Sequence, residues 1–572
     1  MTTPVLYDTQ NSPFERMLRE LPLQPLSVFL SDNASREMAP VQFSEVLFPG
    51  DPLSADIQAT FPVLSHQHRG ILGSRPGTPV TGKNIAVFFS GGPAAGGHNV
   101  IVGLKDILGD HNRLYGVTAG PKGLLAGDLF EITDVSGIQN TGGFDFLGSD
   151  RTKITTSEQF EKVRHWVSHY KLDGIVVVGG DDSNTNAAFL AEKLSDLKCT
   201  VVGVPKTIDG DLQVWPWVPI SFGFDTATRI YAELVGNILK DTPSSRKYWH
   251  FIKLMGRSAS HIALEVALQT QPTMTLISEE IAARAHSLDL IVTDMAKGVL
   301  RRAMLGHAYG VVLVPEGVIE FIPDVAGLIG ELNEIMGDSE AQAVVVGARH
   351  AYVVGHLSAD GKQAFLSLPE VIQTKLLMDR DAHGNLQVSQ IPSELLFVES
   401  IAAKIHVIQA NPRAFFSDLS EKDLVALAQF SFAPLTHFFG YEGRCGAPSR
   451  FDAAYTYNLG LAAGSAVVQG LTGHMVGITD MATGGRAVAL PLTGLIHAER
   501  RHGKTAYVIK KALVTLDSPA FQAFAAHRDA WALGDCFSSP GPRQYTGPLS
   551  QLMPLSVALN QGYTSSVYHL GV

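Results

Sequence analysis

The chain is poor in cysteine, in long apolar runs and in excess positive charge. Its three cysteines, Cys199, Cys445 and Cys536, lie far apart and fit no metal-ligand spacing, so buried thiols in a reduced compartment are the simplest reading. No apolar stretch approaches the roughly 18 residues needed to span a bilayer. The opening MTTPVLYDTQNSPFERML lacks the basic segment followed by an apolar one that marks a secretory leader. A cytoplasmic protein with no membrane partner is expected. With 44 Lys and Arg against 55 Asp and Glu, the net charge is −11, which argues against nucleic acid as a partner because that needs a broad basic field. Any anionic ligand must be held by a locally basic site. Only 17% of residues are charged, and there is neither low-complexity sequence nor a short repeat; disordered and fibrous classes are excluded. Glycine, by contrast, is plentiful, with 55 in 572 residues, as suits a large α/β enzyme whose turns approach ligands closely.

At this length more than one lobe is expected, since domains run to roughly 100–200 residues. Residues 1–80 hold scattered prolines and short apolar patches and read as an extension wrapped on the core. From Ile85–Phe89 onward the rhythm is strand, Gly-rich turn, helix. Thr156 and Gln159 have capping-box spacing, Phe160, Val163, Val167 and Tyr170 follow at helical intervals, and the runs 175–178 and 200–204 read as buried strands. That is a βαβ pattern, with a parallel sheet covered on both faces. Residues 81–245 form one expected lobe. Residues 246–321 and 436–470 form a second, with strands at FIKLMG, MTLIS and YGVVLVPEG. Residues 322–435 read as a mainly helical insertion, and 471–572 as a segment completing the lobes.

Chemistry concentrates just after the apolar runs, at the strand ends where open α/β sheets bind ligands. Ser90-Gly91-Gly92-Pro93-Ala94-Ala95-Gly96-Gly97 can turn backbone N–H groups toward a phosphate. Gly179-Gly180-Asp181-Asp182 sets two carboxylates side by side, costly unless a cation offsets them, and Mg2+ is the natural candidate. In Lys206-Thr207-Ile208-Asp209-Gly210-Asp211, alternation in an extended backbone would aim Asp209 and Asp211 the same way. Lys206 could reach a phosphate in the same site. Arg257 in Met255-Gly256-Arg257 and Arg444 in Tyr441-Glu442-Gly443-Arg444 could each grip a phosphate through paired hydrogen bonds. Taken singly, each also fits a plainer role as a turn, a helix cap, a solvated loop or a surface arginine.

In order, SGGPAAGGHN, GGDDSN, PKTIDGD, MGRSASHIALE, VPEG and YEGRCGAPSRFD resemble the phosphofructokinase family, and within it the long pyrophosphate-dependent branch. The resemblance spans most of residues 81–460. It implies an α/β fold of two doubly wound Rossmann-like lobes, with pyrophosphate and Mg2+ bound by the first lobe and fructose 6-phosphate by the second. By the same resemblance Gly91 contacts the donor phosphate, Asp181 ligates Mg2+, and Thr207, Ile208 and Asp209 form the sugar-phosphate segment with Asp209 as proton acceptor. Met255, Gly256, Arg257, Glu316, Tyr441, Glu442, Gly443 and Arg444 match the remaining fructose 6-phosphate contacts. Lys247 and Tyr248 match a pair that enters a neighbouring subunit's site, which implies a homodimer or larger homo-oligomer.

Donor choice falls to Asp182 and Lys206, where ATP-using members usually carry glycine. A carboxylate where the α-phosphate of ATP would lie repels the nucleotide, and the lysine neutralises charge on the smaller donor. Ala95 departs from the family's usual proline, at the cost of one fixed φ angle. Asp209 and Asp211 are both retained, unlike in the branch's non-catalytic regulatory subunits. The expected activity is reversible phosphorylation of fructose 6-phosphate by pyrophosphate. The rivals are an ATP-dependent enzyme, a regulatory subunit and a nicotinamide-binding oxidoreductase, the last lacking its glycine fingerprint.

Overall fold

The computed structural model describes residues 12–31, 37–46, 53–67, 70–337, 344–378, 390–501 and 504–563. Its centre is a set of short runs of β-branched and small apolar residues that form parallel strands. Gly174–Gly179 and Thr200–Pro205 are buried along their whole length, as expected of strands covered on both faces. Asn84–Ser90 and Arg113–Val117 continue the parallel set on one side and His474–Thr479 on the other. Antiparallel strands close both flanks of this ten-stranded sheet. Arg486–Pro491, Gly70–Pro76 and Val41–Val46 follow one another outward on one flank, and Leu129–Glu131 lies on the other. Residues before 80 thus contribute two strands to the sheet as well as lying against it.

A smaller sheet holds Met274–Thr275, Gly310–Pro315, Trp249–Leu254 and Pro434–Phe439 in that order, all parallel. The run MTLIS yields only a two-residue strand, because Ile277 already precedes the short helix Ser278–Ala283. The expected helix after Thr156 forms as Ser157–His169. The Thr156 hydroxyl accepts from the Gln159 N–H, and the Gln159 side chain accepts from the Thr156 N–H.

Residues 322–435 are mainly helical among those described, from Pro323–Gly337 through Ser393–Ala410 to Glu421–Gln429. Their apolar faces share one core with Trp249, Phe251, Val312 and Val314 of the small sheet, so they thicken the second lobe. The helix Arg450–Val468 behaves differently from its neighbours in sequence. It leaves the small sheet and packs along Gly97–Leu108, in the core of the large one.

A buried carboxylate ties that crossing helix to the site. Asp452, wholly buried, accepts from the N–H groups of Gly223 (3.1 Å) and Thr226 (2.8 Å), the first turn of helix Phe224–Ser245. The Phe224 ring in turn lies beneath Gly210, in the segment carrying Asp209 and Asp211. In Asp452→Ala these two donors lose their partner, at roughly 1–3 kcal/mol for each buried group left unpaired. Urea denaturation should show a lower midpoint than that of the parent protein; an unchanged midpoint would mean the contact is dispensable.

Candidate active site

Both sheets point the carboxyl ends of their strands at one cleft of about 1140 Å³. Asn84–Ser90, Gly174–Gly179 and Thr200–Pro205 of the large sheet run directly into Gly91, Gly180 and Lys206; Trp249–Leu254 and Gly310–Pro315 of the small sheet run into Met255 and Glu316. All of these residues line the cleft. Strand direction therefore assembles the site from segments hundreds of residues apart.

The first loop turns at Gly91, whose φ is +85°, a left-handed value that glycine adopts without penalty. Lys206 Nζ donates to the Gly92 carbonyl at 2.7 Å. A Cβ at Gly92 would lie 2.2 Å from Arg444 Nη2, so only glycine admits the guanidinium, and the loop is clasped by cations from both lobes. Ala95 is buried.

Helix Asp181–Lys193 begins with the paired carboxylates. Its N-cap is Gly180, which makes no side-chain capping bond, so neither aspartate caps the helix and both face the cleft. Asp182 pairs with Lys153 at 2.9 Å, each half-exposed. Ser183 Oγ donates to Ser90 Oγ at 2.9 Å, linking helix start to loop.

The segment after Lys206 is a turn and not the extended run expected from alternation: Gly210 has φ +72°, and the Asp209 N–H donates to Thr207 Oγ1 at 3.1 Å. Asp209 and Asp211 nevertheless both reach the cleft. The turn leaves them close enough for the charge of Asp211 to act on Asp209.

Burial is the first cause of the electrostatic pattern. It pushes the Asp209 carboxyl up to about 7, helped by Asp211 and Glu316 and opposed by Lys511 and Arg444. Lys206 is pulled down to about 8, first by burial and then by Arg444, against Asp209 and Asp181. Burial also raises Asp181, Glu316 and Glu320. Lys511 is raised although burial works against it, because Asp181 and Asp211 hold its proton. Such opposed shifts in one cleft are a mark of functional sites.

From the second lobe come Met255, Arg257, Glu316, Tyr441 and Arg444. The Arg444 guanidinium stands over the Tyr441 ring at 5.4 Å. Gly256, Glu442 and Gly443 do not line the cleft. Gly256 is a turn residue with φ +118°, and Gly443 packs on the ring of Tyr231, whose hydroxyl donates to the Gly440 carbonyl. Lys247 and Tyr248 precede strand Trp249–Leu254, at the end of the sheet opposite the cleft, with Lys247 Nζ 4.7 Å above the Tyr248 ring.

Several lining residues escaped the sequence reading. Arg151 and Lys153 follow the two-residue strand Ser149–Asp150, Ile329 and Asn333 come from the insertion helix Pro323–Gly337, and Lys510 and Lys511 follow the strand Lys504–Ile509. Only the last pair had a usable signal, two lysines directly after the apolar run YVI. Among the described residues no three His, Cys, Asp or Glu side chains form a protein-only metal cage. Asp181, with the charges of Asp182 and Asp211 close by, instead suits a cation that keeps water and takes ligand oxygens.

The family model described as phosphofructokinase matches residues 84–361. Pyrophosphate–fructose 6-phosphate 1-phosphotransferase of Treponema pallidum (strain Nichols) is 47% identical over 480 residues, covering 82% of this chain and 81% of that protein. The Porphyromonas gingivalis protein of the same name is 44% identical over 488 residues, covering 83% of this chain and 86% of its own length. The beta 2 subunit of the Arabidopsis thaliana phosphotransferase is 41% identical over 524 residues, covering 89% and 88%. With a cleft built at the ends of parallel strands in two sheets and identity of this extent over most of its length, the chain belongs to the phosphofructokinase family.

Proposed function

We propose that this protein transfers a phosphoryl group from inorganic pyrophosphate to the 1-hydroxyl of fructose 6-phosphate, reversibly, in glycolysis and gluconeogenesis. The observation that carries the reading is the donor end of the cleft. There Lys206 is buried against the Gly92 carbonyl, and Asp182 stands in the first turn of helix Asp181–Lys193. A compact cation and a helix N-terminus suit a small, highly charged donor. The Asp182 carboxylate opposes the longer phosphate chain of a nucleotide.

In this reading residues 81–245 bind the donor, and 246–321 with 436–470 bind the sugar phosphate. The insertion 322–435 and residues 1–80 and 471–572 complete the two lobes. N–H groups around Gly91 receive the donor phosphate. Arg257, Arg444 and Tyr441 hold the sugar phosphate, with Met255, Glu316, Thr207 and Ile208 shaping the sugar's position. Gly256, Glu442 and Gly443 act through the backbone turns that present these side chains. Asp209 takes the proton of the 1-hydroxyl as its oxygen attacks the terminal phosphorus. The bond from that phosphorus to the bridging oxygen breaks, and phosphate leaves with its charge offset by Lys206. Asp181 would hold Mg2+, which when bound neutralises donor charge. Catalysis is then positioning and electrostatics. Lys247 and Tyr248 cannot serve the cleft of their own chain from the far end of the sheet, which supports a homo-oligomer in which they serve a neighbour's. The three cysteines are free, and no described helix is long and apolar enough to cross a membrane.

A coupled assay of the chain alone with fructose 6-phosphate and magnesium tests the reading. Turnover is expected with pyrophosphate and not with ATP. Preference for ATP would favour the nucleotide-dependent rival, and activity only with a second subunit the regulatory one.

Asp209 must be ionised to accept a proton, so kcat/KM should fall as pH drops through about 7. Asp211→Asn removes a neighbouring negative charge and should move this acid limb to lower pH, a shift readable in the pH profile. Asp209→Asn should reduce kcat by about 10²–10⁴-fold, or roughly 2.7–5.4 kcal/mol of transition-state stabilisation. Near-normal turnover of that variant would place the base elsewhere.

Asp182→Gly should make ATP a donor or a stronger competitor, whereas Lys206→Gly should chiefly lower pyrophosphate turnover. The double variant needs its own measurement, because neighbours in one site seldom add. Asp182→Gly with no gain in ATP binding or use would sink the exclusion argument.

A further inference from the structure

The cleft contains a cation that the mechanism above leaves without a task. Lys511 enters from the C-terminal side of the chain, after the strand Lys504–Ile509. Its Nζ lies 3.8 Å from Asp181 Oδ2 and 3.4 Å from Asp211 Oδ2, and donates to Ser258 Oγ at 2.7 Å. These partners come from three sides: Asp181 from the donor strand end, Asp211 from the turn carrying the proposed base, Ser258 from the loop of Arg257. The ammonium therefore stands where the donor half of the cleft meets the acceptor half.

The backbone around it is tied down on both sides. The Ile509 N–H donates to Thr185 Oγ1 at 3.0 Å and the Lys510 N–H to the Leu495 carbonyl at 3.2 Å. Beyond Lys511, the Ala512 N–H donates to the Asp211 carbonyl at 2.7 Å, His261 Nε2 lies 2.9 Å from the Ala512 carbonyl, and the Val514 N–H donates to Glu279 Oε1 at 3.0 Å. Such anchoring places an otherwise flexible side chain in one position before any substrate arrives, which is the condition for effective electrostatic catalysis.

Three of the other cleft cations are already engaged. Lys206 bonds the Gly92 carbonyl, Lys153 pairs with Asp182, and Arg444 is stacked on Tyr441 against the first loop. A phosphoryl group in flight carries charge on three equatorial oxygens, and here it must pass Asp181, Asp209 and Asp211. Resting on the phosphotransferase reading above, we propose that Lys511 is a catalytic residue, the cation that pairs with the phosphoryl group as it crosses from pyrophosphate to the sugar hydroxyl. Between turnovers the same charge keeps Asp181 and Asp211 from repelling each other.

The test compares Lys511→Met, Lys511→Arg and Ser258→Ala with the parent protein in the pyrophosphate assay, run in both directions. Fructose 6-phosphate and pyrophosphate binding are measured separately by calorimetry. Lys511→Met should lose about 10²–10³-fold in kcat in each direction, as when one preorganised donor is removed. Both dissociation constants should stay within about threefold of the parent's, and arginine should restore part of the rate. Ser258→Ala, which only frees the ammonium to wander, should lower kcat by several-fold with the same binding. Lys511→Met keeping its kcat, or weakening one substrate's binding while kcat holds, overturns the assignment. Should Lys511→Met fail to fold, an unchanged kcat in Ser258→Ala overturns it as well. An inactive parent protein in the same assay would instead overturn the phosphotransferase reading.

Discussion

Two multiply charged anions have to meet inside a protein that itself carries a net charge of −11. Everything distinctive about the cleft follows from that constraint. Coulomb repulsion between phosphates grows as water is excluded, so the cleft draws lysines and arginines from five separate stretches: Arg151 and Lys153, Lys206, Arg257, Arg444, and Lys510 with Lys511. The proposed reaction also calls for carboxylates, one to take a proton and one to meet a cation. Putting Asp181, Asp209, Asp211 and Glu316 among these cations keeps each charge partly compensated. Burial drives the opposed shifts of Asp209 and Lys206, and these neighbouring opposite charges hold both shifts back.

Parallel strands solve the placement problem. A strand that runs into the cleft delivers its next residue there whatever its distance along the chain, and both sheets are oriented so that this happens from opposite sides. The small sheet and the insertion share a hydrophobic core, which explains how Ile329 and Asn333, deep in a helical region, come to line the site. Asp452 carries the complementary task, fastening the helix behind the Asp209 turn to the helix that crosses between lobes.

Legibility in the sequence followed the range of the signal. The capping box at Thr156 and Gln159 and the strands ending at Gly179 and Pro205 rest on local periodicity, and they stand where it put them. Gly91, Asp181, Lys206, Asp209 and Arg257 were findable because each follows a strand, Arg444 because it stands beside glycine in YEGR, and the fold brings all six to one cleft. The turn at Gly210 was misread because alternation of Asp209 and Asp211 looks the same in a strand and in a tight turn. Lys153 and Asn333 were missed for a different reason. Their importance lies in what they approach across the fold, such as Lys153 and Asp182, and pairwise proximity leaves no periodic trace in one chain.

The strand His474–Thr479 lies beside Thr200–Pro205, and this adjacency has a consequence for biosynthesis. Until residue 474 leaves the ribosome, the Thr200–Pro205 strand is the open edge of a buried, apolar sheet. At roughly 5–20 residues per second, that edge stays unpaired for on the order of tens of seconds, long enough for other nascent strands to add to it. The order of strands thus makes the first lobe the last to be sealed, and its window of vulnerability is set by the length of the second lobe and its insertion.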